Sequence, residues 1–224
     1  MKLTIAHRFH FETVERLSEL GSPHAWDVVR AGGGTFGLPD TRDEWLARAA
    51  RAALDRRAVA VIETARGLGA DRLCSYGVGA GYLELKIAER APDLSLVCTD
   101  FAPNGVARLS ELFPEAVVVP HDLLLDEPLD AELHLLHRLD TEFSNGDWPA
   151  IFARFRRPML FVATELLGPR SLLREAATRL RHPQSTHAGW VRTEDALRGL
   201  WSRTHDDHRL PHFDLPAYLL TPKR

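Results

Sequence analysis

The sequence predicts an α/β fold with a mostly parallel sheet and helices on both of its faces. A short apolar run from Arg72 leads into three glycines at alternate positions, and apolar residues at helical spacing then continue until Ala91-Pro92. A second apolar run, Leu94 to Thr99, ends on Asp100. A strand, a glycine loop, a helix and a second strand in this order predict a βαβ unit, whose two strands pair in parallel.

Length and composition are compatible with one large domain and a helical extension. The chain has 224 residues, of which 45% are hydrophobic and 26% charged, so it can bury a sizeable core. Its net charge of −3 and the lack of any run of lysines or arginines argue against nucleic acid as the main partner. We therefore expect a small-molecule substrate.

The apolar stretches are too short for a membrane span, and the start Met1 to His7 lacks the apolar centre of a signal peptide. The sequence thus predicts a cytoplasmic protein without a membrane partner. Cys74 and Cys98 fall inside the two apolar strands. There we expect small buried thiols, and neither a disulfide nor a metal site.

The glycine loop and Asp100 together suggest a site for a nucleoside. Gly77, Gly79 and Gly81 permit backbone angles closed to other residues and let the main chain approach a ligand. The helix that opens at Gly81 points unpaired N–H groups at that ligand. Asp100, at the carboxyl end of the neighbouring strand, can accept hydrogen bonds from both hydroxyls of a ribose.

The residue after the third glycine decides which nucleoside cofactor fits. The dinucleotide fingerprint needs a small residue at this sixth loop position, where this chain has Tyr82. The order of apolar strand, Gly-x-Gly-x-Gly, bulky residue, helix and an acid 19 residues later instead resembles the first two motifs of class I S-adenosylmethionine-dependent methyltransferases. The alternative is that the glycines only form a tight turn and that Asp100 caps the next helix.

The resemblance implies a Rossmann-like, seven-stranded, mostly parallel sheet with an antiparallel last strand, and S-adenosylmethionine as the cofactor. One position departs from the family. An acidic residue usually stands two positions before the first glycine, where it organises the loop and contacts the amino acid end of the cofactor, but this chain has Ser75. We expect either that Glu84 takes over part of this work or that cofactor affinity is lower.

Residues 1–67 form a predicted helical extension, or cap, ahead of a cofactor-binding core at residues 68–224. The extension should contain two short helices, Glu12–Leu20 and Pro23–Arg30, then a glycine-rich loop at Ala31–Gly37. Thr41 can cap a further helix that runs to about Arg66. In the resembled family such segments often close over the cofactor, and an extension without that role is the alternative.

The segment after Asp100 supplies the rest of the expected cofactor site. Phe101 is placed to lie against an adenine ring, a helix should run from Pro103 to Leu112, and Ala116–Val119 should form the third strand. The resemblance implies that Asp122, just beyond this strand, accepts a hydrogen bond from the adenine amine; a helix cap is the alternative. The complete predicted cofactor-binding set is Tyr76, Gly77, Gly79, Gly81, Asp100, Phe101, Asp122, Leu123 and His137.

Ala131–Asp140 should form the fourth strand and run into its loop, and this loop should reach the ligand crevice, because in open α/β sheets ligands bind outside the carboxyl ends of the strands. The catalytic candidates in and beside it are His137, Arg138, Asp140 and Glu142. Our first choice is His137 as a general base oriented by Asp140, since histidine titrates near neutrality. A hydrogen-bonded structural histidine is the alternative.

The remaining chain should complete the sheet. We expect a helix at Asp147–Arg156, a fifth strand at Met159–Thr164 and a helix at Pro169–Arg181. Gly189–Leu197 resembles the last helix of small-molecule methyltransferases with its preceding Arg-Thr element, and Ala217–Leu220 should be the antiparallel terminal strand, so the resemblance covers about residues 68–221. The cluster of His205, Asp206, Asp207, His208 and His212 lacks a recognised zinc spacing, and no metal is predicted.

These inferences point to S-adenosylmethionine-dependent methyl transfer to oxygen, nitrogen or carbon of a small-molecule acceptor. The alternatives are a protein of the same fold that binds the cofactor without transferring methyl, and an NAD(P)-dependent oxidoreductase. A homodimer is a candidate assembly. The acceptor pocket should combine the N-terminal segment with a later loop, through His10, His24, Trp26, His187 and Trp190.

Overall fold

The computed structural model describes residues 2–10, 22–32 and 36–223. The strands in these residues are β1 Thr4–Phe9, β2 Arg72–Tyr76, β3 Ser95–Asp100, β4 Val117–Pro120, β5 Leu133–His137, β6 Met159–Val162, β7 Thr186–Arg192, β8 His205–Arg209 and β9 Ala217–Pro222. The helices are α1 Pro23–Ala31, α2 Arg42–Arg51, α3 Asp55–Gly67, α4 Tyr82–Arg90, α5 Pro103–Leu112, α6 Asp147–Arg154, α7 Pro169–Arg181 and α8 Glu194–Arg198.

Seven of the strands form one sheet in the order β4-β3-β2-β5-β6-β9-β8. Strands β4, β3, β2, β5 and β6 are parallel, and β9 lies antiparallel between β6 and β8. The expected Rossmann-like sheet with its antiparallel last strand is thereby confirmed. The chain order reverses at β2, which lies between β3 and β5, so the carboxyl ends of β2 and β5 form the switch point at which such sheets bind ligands.

The central strands are buried on both faces, as expected for a parallel sheet covered by helices. Alternate residues enter different cores: Leu73 and Leu135 pack with α2 to α5, whereas Tyr76 and Leu136 pack with α6. Both cysteines are free and buried, which confirms the prediction for them. Burial raises the pKa of Cys74 to about 11, so this thiol stays protonated and unreactive at neutral pH.

The single helix expected from Thr41 to Arg66 is wrong. Thr41 does cap α2 by accepting a hydrogen bond from the Glu44 N–H, but the chain leaves the helix at Ala52 and starts α3 at Asp55. In α2 the buried Trp45 donates to the Ala80 carbonyl and packs against other rings near the glycine loop. Helix α3 instead packs along α4. These two attachments override the high helix propensity of the intervening alanines.

The N-terminal segment contains a strand that the sequence did not predict. Strand β1 pairs antiparallel with β7 in a separate two-stranded sheet, with Thr4 opposite Arg192. Helix α1 follows and confirms the second of the two predicted short helices. The first, Glu12–Leu20, lies outside the described residues, as do positions 33–35 of the glycine-rich loop. The domain boundary at residue 67 stays a prediction.

Helix α1 packs against β7 through a small apolar cluster. Ala25 and Val29 of the helix meet Ala188 of the strand, and Trp26 and Phe36 pack around them. The segment is therefore held beside the carboxyl ends of the parallel strands. None of the helices in the described ranges combines the length and the apolar character needed to cross a bilayer.

We expect Gly189→Ala to lower the free energy of unfolding by at least about 2 kcal/mol, because of left-handed backbone strain and a steric clash. Gly189 has a φ of 99°, and a β-carbon there would overlap the Thr141 carbonyl. Chemical denaturation measures the loss. The control is Gly67→Ala, since a β-carbon at Gly67 meets nothing within 4 Å. Equal stability of the two variants would contradict this account of the β7 contact.

Candidate active site

The glycine loop between β2 and α4 has the geometry that its residues suggested. Gly77, Gly79 and Gly81 all have positive φ, of 62°, 59° and 68°, a region that residues with a β-carbon rarely adopt. Gly81 is the N-cap of α4 and, being a glycine, offers no side-chain cap. The loop therefore presents bare main chain at the carboxyl edge of the sheet.

Asp100 binds this loop to the end of β3. One carboxylate oxygen accepts a hydrogen bond from the Gly79 N–H at 2.9 Å, and the other accepts from the Ala102 N–H at 3.2 Å. The residue is 7% exposed. The N-cap of α5 is Ala102 and has no side-chain cap, so Asp100 does not cap this helix, and its carboxylate instead holds the middle glycine of the loop. Each oxygen retains acceptor capacity for a further donor.

Arg30 of α1 lies directly over the loop. Its Nη2 is 3.9 Å from Oδ2 of Asp100 and would be 2.6 Å from a β-carbon at Gly79. Its Nη1 donates to the Phe36 carbonyl at 3.0 Å, and its guanidinium carbon is 4.9 Å from the ring centroid of Trp26. The N-terminal segment therefore covers the candidate site with a cation.

Glu142 belongs to the same group of charges. Burial, with the negative charges of Asp140 and Asp100, raises its pKa to about 8, against the opposing effects of Arg30 and a hydrogen bond with Trp26. Glu142 is thus coupled electrostatically to Arg30 and Asp100 and hydrogen-bonded with Trp26. A carboxyl that titrates near neutrality in a cleft is suited to accept or donate a proton.

His137, at the end of β5, takes part in a different network. Its Nε2 is 3.0 Å from Nη1 of Arg57, whose guanidinium makes paired hydrogen bonds with Asp214. Arginine has no acceptor, so Nε2 must accept and Nδ1 carries the proton. Burial, together with the charges of Arg57 and Arg138, lowers the pKa of His137 to about 3. The imidazole is therefore neutral at physiological pH, and the lone pair a base would use is occupied.

Asp140 lies deeper, between the loops that follow β5 and β6. Its carboxylate accepts from the Thr164 N–H at 2.6 Å, and its main-chain carbonyl accepts from the Arg192 guanidinium. Burial raises the pKa of Asp140 to about 6. The predicted pairing of His137 with Asp140 is thus wrong, because their hydrogen bonds go to different partners. Asp140 joins two loops of the carboxyl edge.

Ser75 and Glu84 form a buried pair beneath the glycine loop. The Ser75 hydroxyl donates to the Glu84 carboxylate at 2.7 Å, and Glu84 is 2% exposed. Burial raises the pKa of Glu84 to about 7, against the opposing effect of the Ser75 hydrogen bond. A carboxyl from the first turn of α4 therefore lies against the position where the resembled family carries an acidic residue.

The other predicted cofactor residues have mixed placements. Asp122 accepts a hydrogen bond from the Leu124 N–H at 2.8 Å in a turn, and in the described part of the chain no helix follows it that it could cap. Tyr76 and Leu123 point their side chains into the core, so only their main chains face the edge. Phe101 follows Asp100 and is partly exposed. Their roles toward a cofactor stay predictions.

No protein-family model matches the chain, and no curated protein matches it. Solved structures do match the chain. Human N-acetylserotonin methyltransferase in complex with SAM shares 18% identity at a TM-score of 0.61, over 82% of this chain and 56% of that one. PigF with SAH shares 16% identity at a TM-score of 0.60, over 82% and 60%. The chain has the class I methyltransferase fold.

A third protein of this fold, the pyocyanin biosynthetic protein PhzM, shares 16% identity at a TM-score of 0.52 over 80% of this chain. The present chain spans only 56–62% of the length of these three proteins. At such identities the comparison establishes the methyltransferase fold, and the assignment of chemistry to this chain rests on its own residues.

The methyltransferase fold brings together some of the residues singled out from the sequence and separates others. The three glycines, Asp100 and Glu142 converge at one edge with Trp26. His10 instead stacks on His182, with ring centroids 3.9 Å apart, and His24 is exposed. Sequence reasoning missed Arg30, Arg57 and Asp214, which carry no motif and reach the site from distant segments. Within the described ranges no three His, Cys, Asp or Glu side chains converge as a metal site would need.

The buried Glu84 should make stability depend on pH. A carboxyl whose pKa is raised from 4.5 to about 7 contributes stability that is full below about pH 4.5 and lost as the pH rises through about 7. We expect Glu84→Gln to remove this loss. Between pH 4.5 and 8 its free energy of unfolding should gain on the order of 2–3 kcal/mol relative to wild type.

Urea denaturation across this pH range measures the effect. Glu89→Gln is the control, since Glu89 lies on the same helix with an exposed side chain. It should follow the wild-type pH dependence. A Glu84→Gln curve parallel to wild type would show that Glu84 is not buried as a titrating group.

Proposed function

We propose that this protein transfers the methyl group of S-adenosylmethionine to a small-molecule acceptor. The observation that carries the proposal is the hydrogen bond between the Gly79 N–H and the Asp100 carboxylate at the switch point of a seven-stranded methyltransferase sheet. Two solved structures of this fold, those of human N-acetylserotonin methyltransferase and PigF, contain SAM and SAH respectively. This supports the same cofactor here.

The residues present fit this cofactor. A β-carbon at Gly79 would obstruct the space above the loop, so the glycine leaves room for close approach. Asp100 would accept the ribose hydroxyls, Phe101 and the segment around Asp122 would flank the adenine, and the N–H groups of α4 would face the amino acid end. The bound cofactor supplies a methyl group on a sulfonium, an already activated leaving group. Alignment of the acceptor then provides much of the rate.

The acceptor pocket is proposed where the N-terminal segment meets β7. Trp26 packs there beside Ala188, and the rings of His187 and Trp190 lie 5.1 Å apart on the same strand. These side chains flank the approach to Glu142. Aromatic walls of this kind suit a flat, apolar acceptor of modest size.

For an acceptor that must lose a proton, we propose Glu142 as the base in preference to His137. Glu142 lies beside Asp100 and Trp26, whereas the Nε2 of His137 is occupied by Arg57. The neutral His137 instead helps to fix Arg57 between β5 and Asp214. Glu142 can accept a proton only when it is ionised. The rate with such an acceptor should therefore rise with pH as Glu142 loses its own proton.

Two other functions remain candidates. An NAD(P)-dependent oxidoreductase is disfavoured by Tyr82, whose side chain stands at the loop position that needs a small residue. A cofactor-binding protein without methyl transfer shares every feature of the Asp100 site. Release of S-adenosylhomocysteine in the presence of a panel of phenolic, amine and carbon acceptors separates it from an enzyme.

We expect Asp100→Ala to weaken S-adenosylmethionine binding by more than about tenfold, because a charged acceptor of two hydroxyls is worth roughly 1.5–3 kcal/mol. Isothermal titration calorimetry measures the change, with NAD as the competing ligand. Asp93→Ala is the control, since Asp93 is exposed at the opposite, amino edge of the sheet. Unchanged affinity in a folded Asp100→Ala variant would refute this placement of the cofactor.

We expect Glu142→Gln to lower kcat/KM by about 10²–10⁴-fold with an acceptor that loses a proton. In the wild type, kcat/KM should fall as the pH drops below about 8, where Glu142 becomes protonated. The variant should lose this acidic limb. His137→Gln is the comparison and should retain it. The opposite pattern, with the limb lost only in His137→Gln, would restore histidine as the base.

A further inference from the structure

The carboxylates of the site need a neighbouring positive charge to offset their negative charge. Burial raises the pKa of Glu142, and the negative charges of Asp140 and Asp100 raise it in the same direction. Arg30 supplies the compensating cation. Burial lowers the pKa of Arg30, and the charges of Asp100 and Glu142 oppose that shift. The guanidinium is thus held in a poorly hydrated place by its acidic neighbours.

The guanidinium of Arg30 occupies the space next to Gly79 into which a bound nucleoside would fit. Its Nη2 would be 2.6 Å from a β-carbon at Gly79, and its Nη1 would be 3.3 Å from it. The same Nη2 is 3.9 Å from the carboxylate oxygen that also accepts from the Gly79 N–H. A nucleoside whose ribose is bound by Asp100 needs this volume. The guanidinium and the cofactor therefore exclude one another.

We propose that Arg30 is an internal counter-ion that closes the cofactor site, and that the cofactor must displace its guanidinium from Asp100 to bind. This inference rests on the proposed function. The exchange keeps positive charge in the site, because S-adenosylmethionine carries a sulfonium next to the ribose that Asp100 would bind. The Asp100 carboxylate, which is 7% exposed, so exchanges one cationic neighbour for another.

The movement involves the Arg30 side chain and not the whole of α1. Asp27, one turn earlier, accepts hydrogen bonds from the Asn104 side chain at 3.0 Å and from the Gly105 N–H at 3.3 Å. These bonds anchor the helix on α5. Arg30 is in the last turn of α1 and has several rotatable bonds, so its guanidinium can leave the loop while the helix stays in place.

Calorimetric titration with S-adenosylmethionine and with S-adenosylhomocysteine tests the proposal. We expect Arg30→Gln to bind both about three- to tenfold more tightly than wild type, because the closed form lowers apparent affinity by the fraction of protein that is open. Arg66→Gln removes the same charge at the opposite edge of the sheet, where Arg66 is exposed, and should bind as wild type does. Equal or weaker binding by Arg30→Gln would overturn the inference and make Arg30 a cofactor ligand or a bystander.

A second readout does not depend on the affinity change. The contact of Arg30 with the Trp26 ring should break when the cofactor enters, so ligand should alter tryptophan fluorescence in wild type and in Arg30→Lys, and much less in Arg30→Gln and Trp26→Phe. The same fluorescence change in Arg30→Gln as in wild type would contradict the displacement. If wild type and all variants fold but none binds either ligand, the proposed function fails, and the inference fails with it.

Discussion

The hydrogen bond from the Gly79 N–H to the Asp100 carboxylate ties the loop that follows β2 to the end of β3. It requires a left-handed loop, which only glycine adopts readily, and a parallel register in which Tyr76 lies opposite Thr99. The sheet order then places β5 on the other side of β2. The remaining side chains of the site are arranged around this contact.

A second constraint is the burial of ionisable groups along the carboxyl edge. Each has a partner that limits its cost: Ser75 for Glu84, Thr164 for Asp140, and the Arg57–Asp214 pair for His137. Buried polar groups are stable only when they are hydrogen-bonded. Because these partners differ, the buried groups differ in their pKa and in their ability to accept a proton. His137 is held neutral with its lone pair occupied, whereas Glu142 has a pKa of about 8.

The N-terminal segment completes the site because two independent attachments hold it there. Strand β1 pairs with β7, and α1 packs on the same strand while Asp27 joins it to α5. Strand β7 is itself fixed by the Trp190 N–H bond to the Thr141 carbonyl and by the close approach at Gly189. Segments far apart in sequence therefore meet at one edge of the sheet, and the cation over the glycine loop, Arg30, comes from the segment with the weakest sequence signal.

The sequence by itself determined the unit of β2, α4 and β3, with its glycine loop and the acid at the end of β3, because these depend on local periodicity and on backbone angles that few residues permit. It also placed α5 and α7 at their observed bounds. It did not determine the break between α2 and α3 or the pairing of β1 with β7. It also did not show that His137 and Asp214 both contact Arg57. Those features depend on contacts such as Arg57 with His137, 80 residues apart, and no local pattern encodes them. Only the tertiary structure, which decides which charges are buried together, distinguishes Glu142 from His137 and brings Arg30 onto the loop.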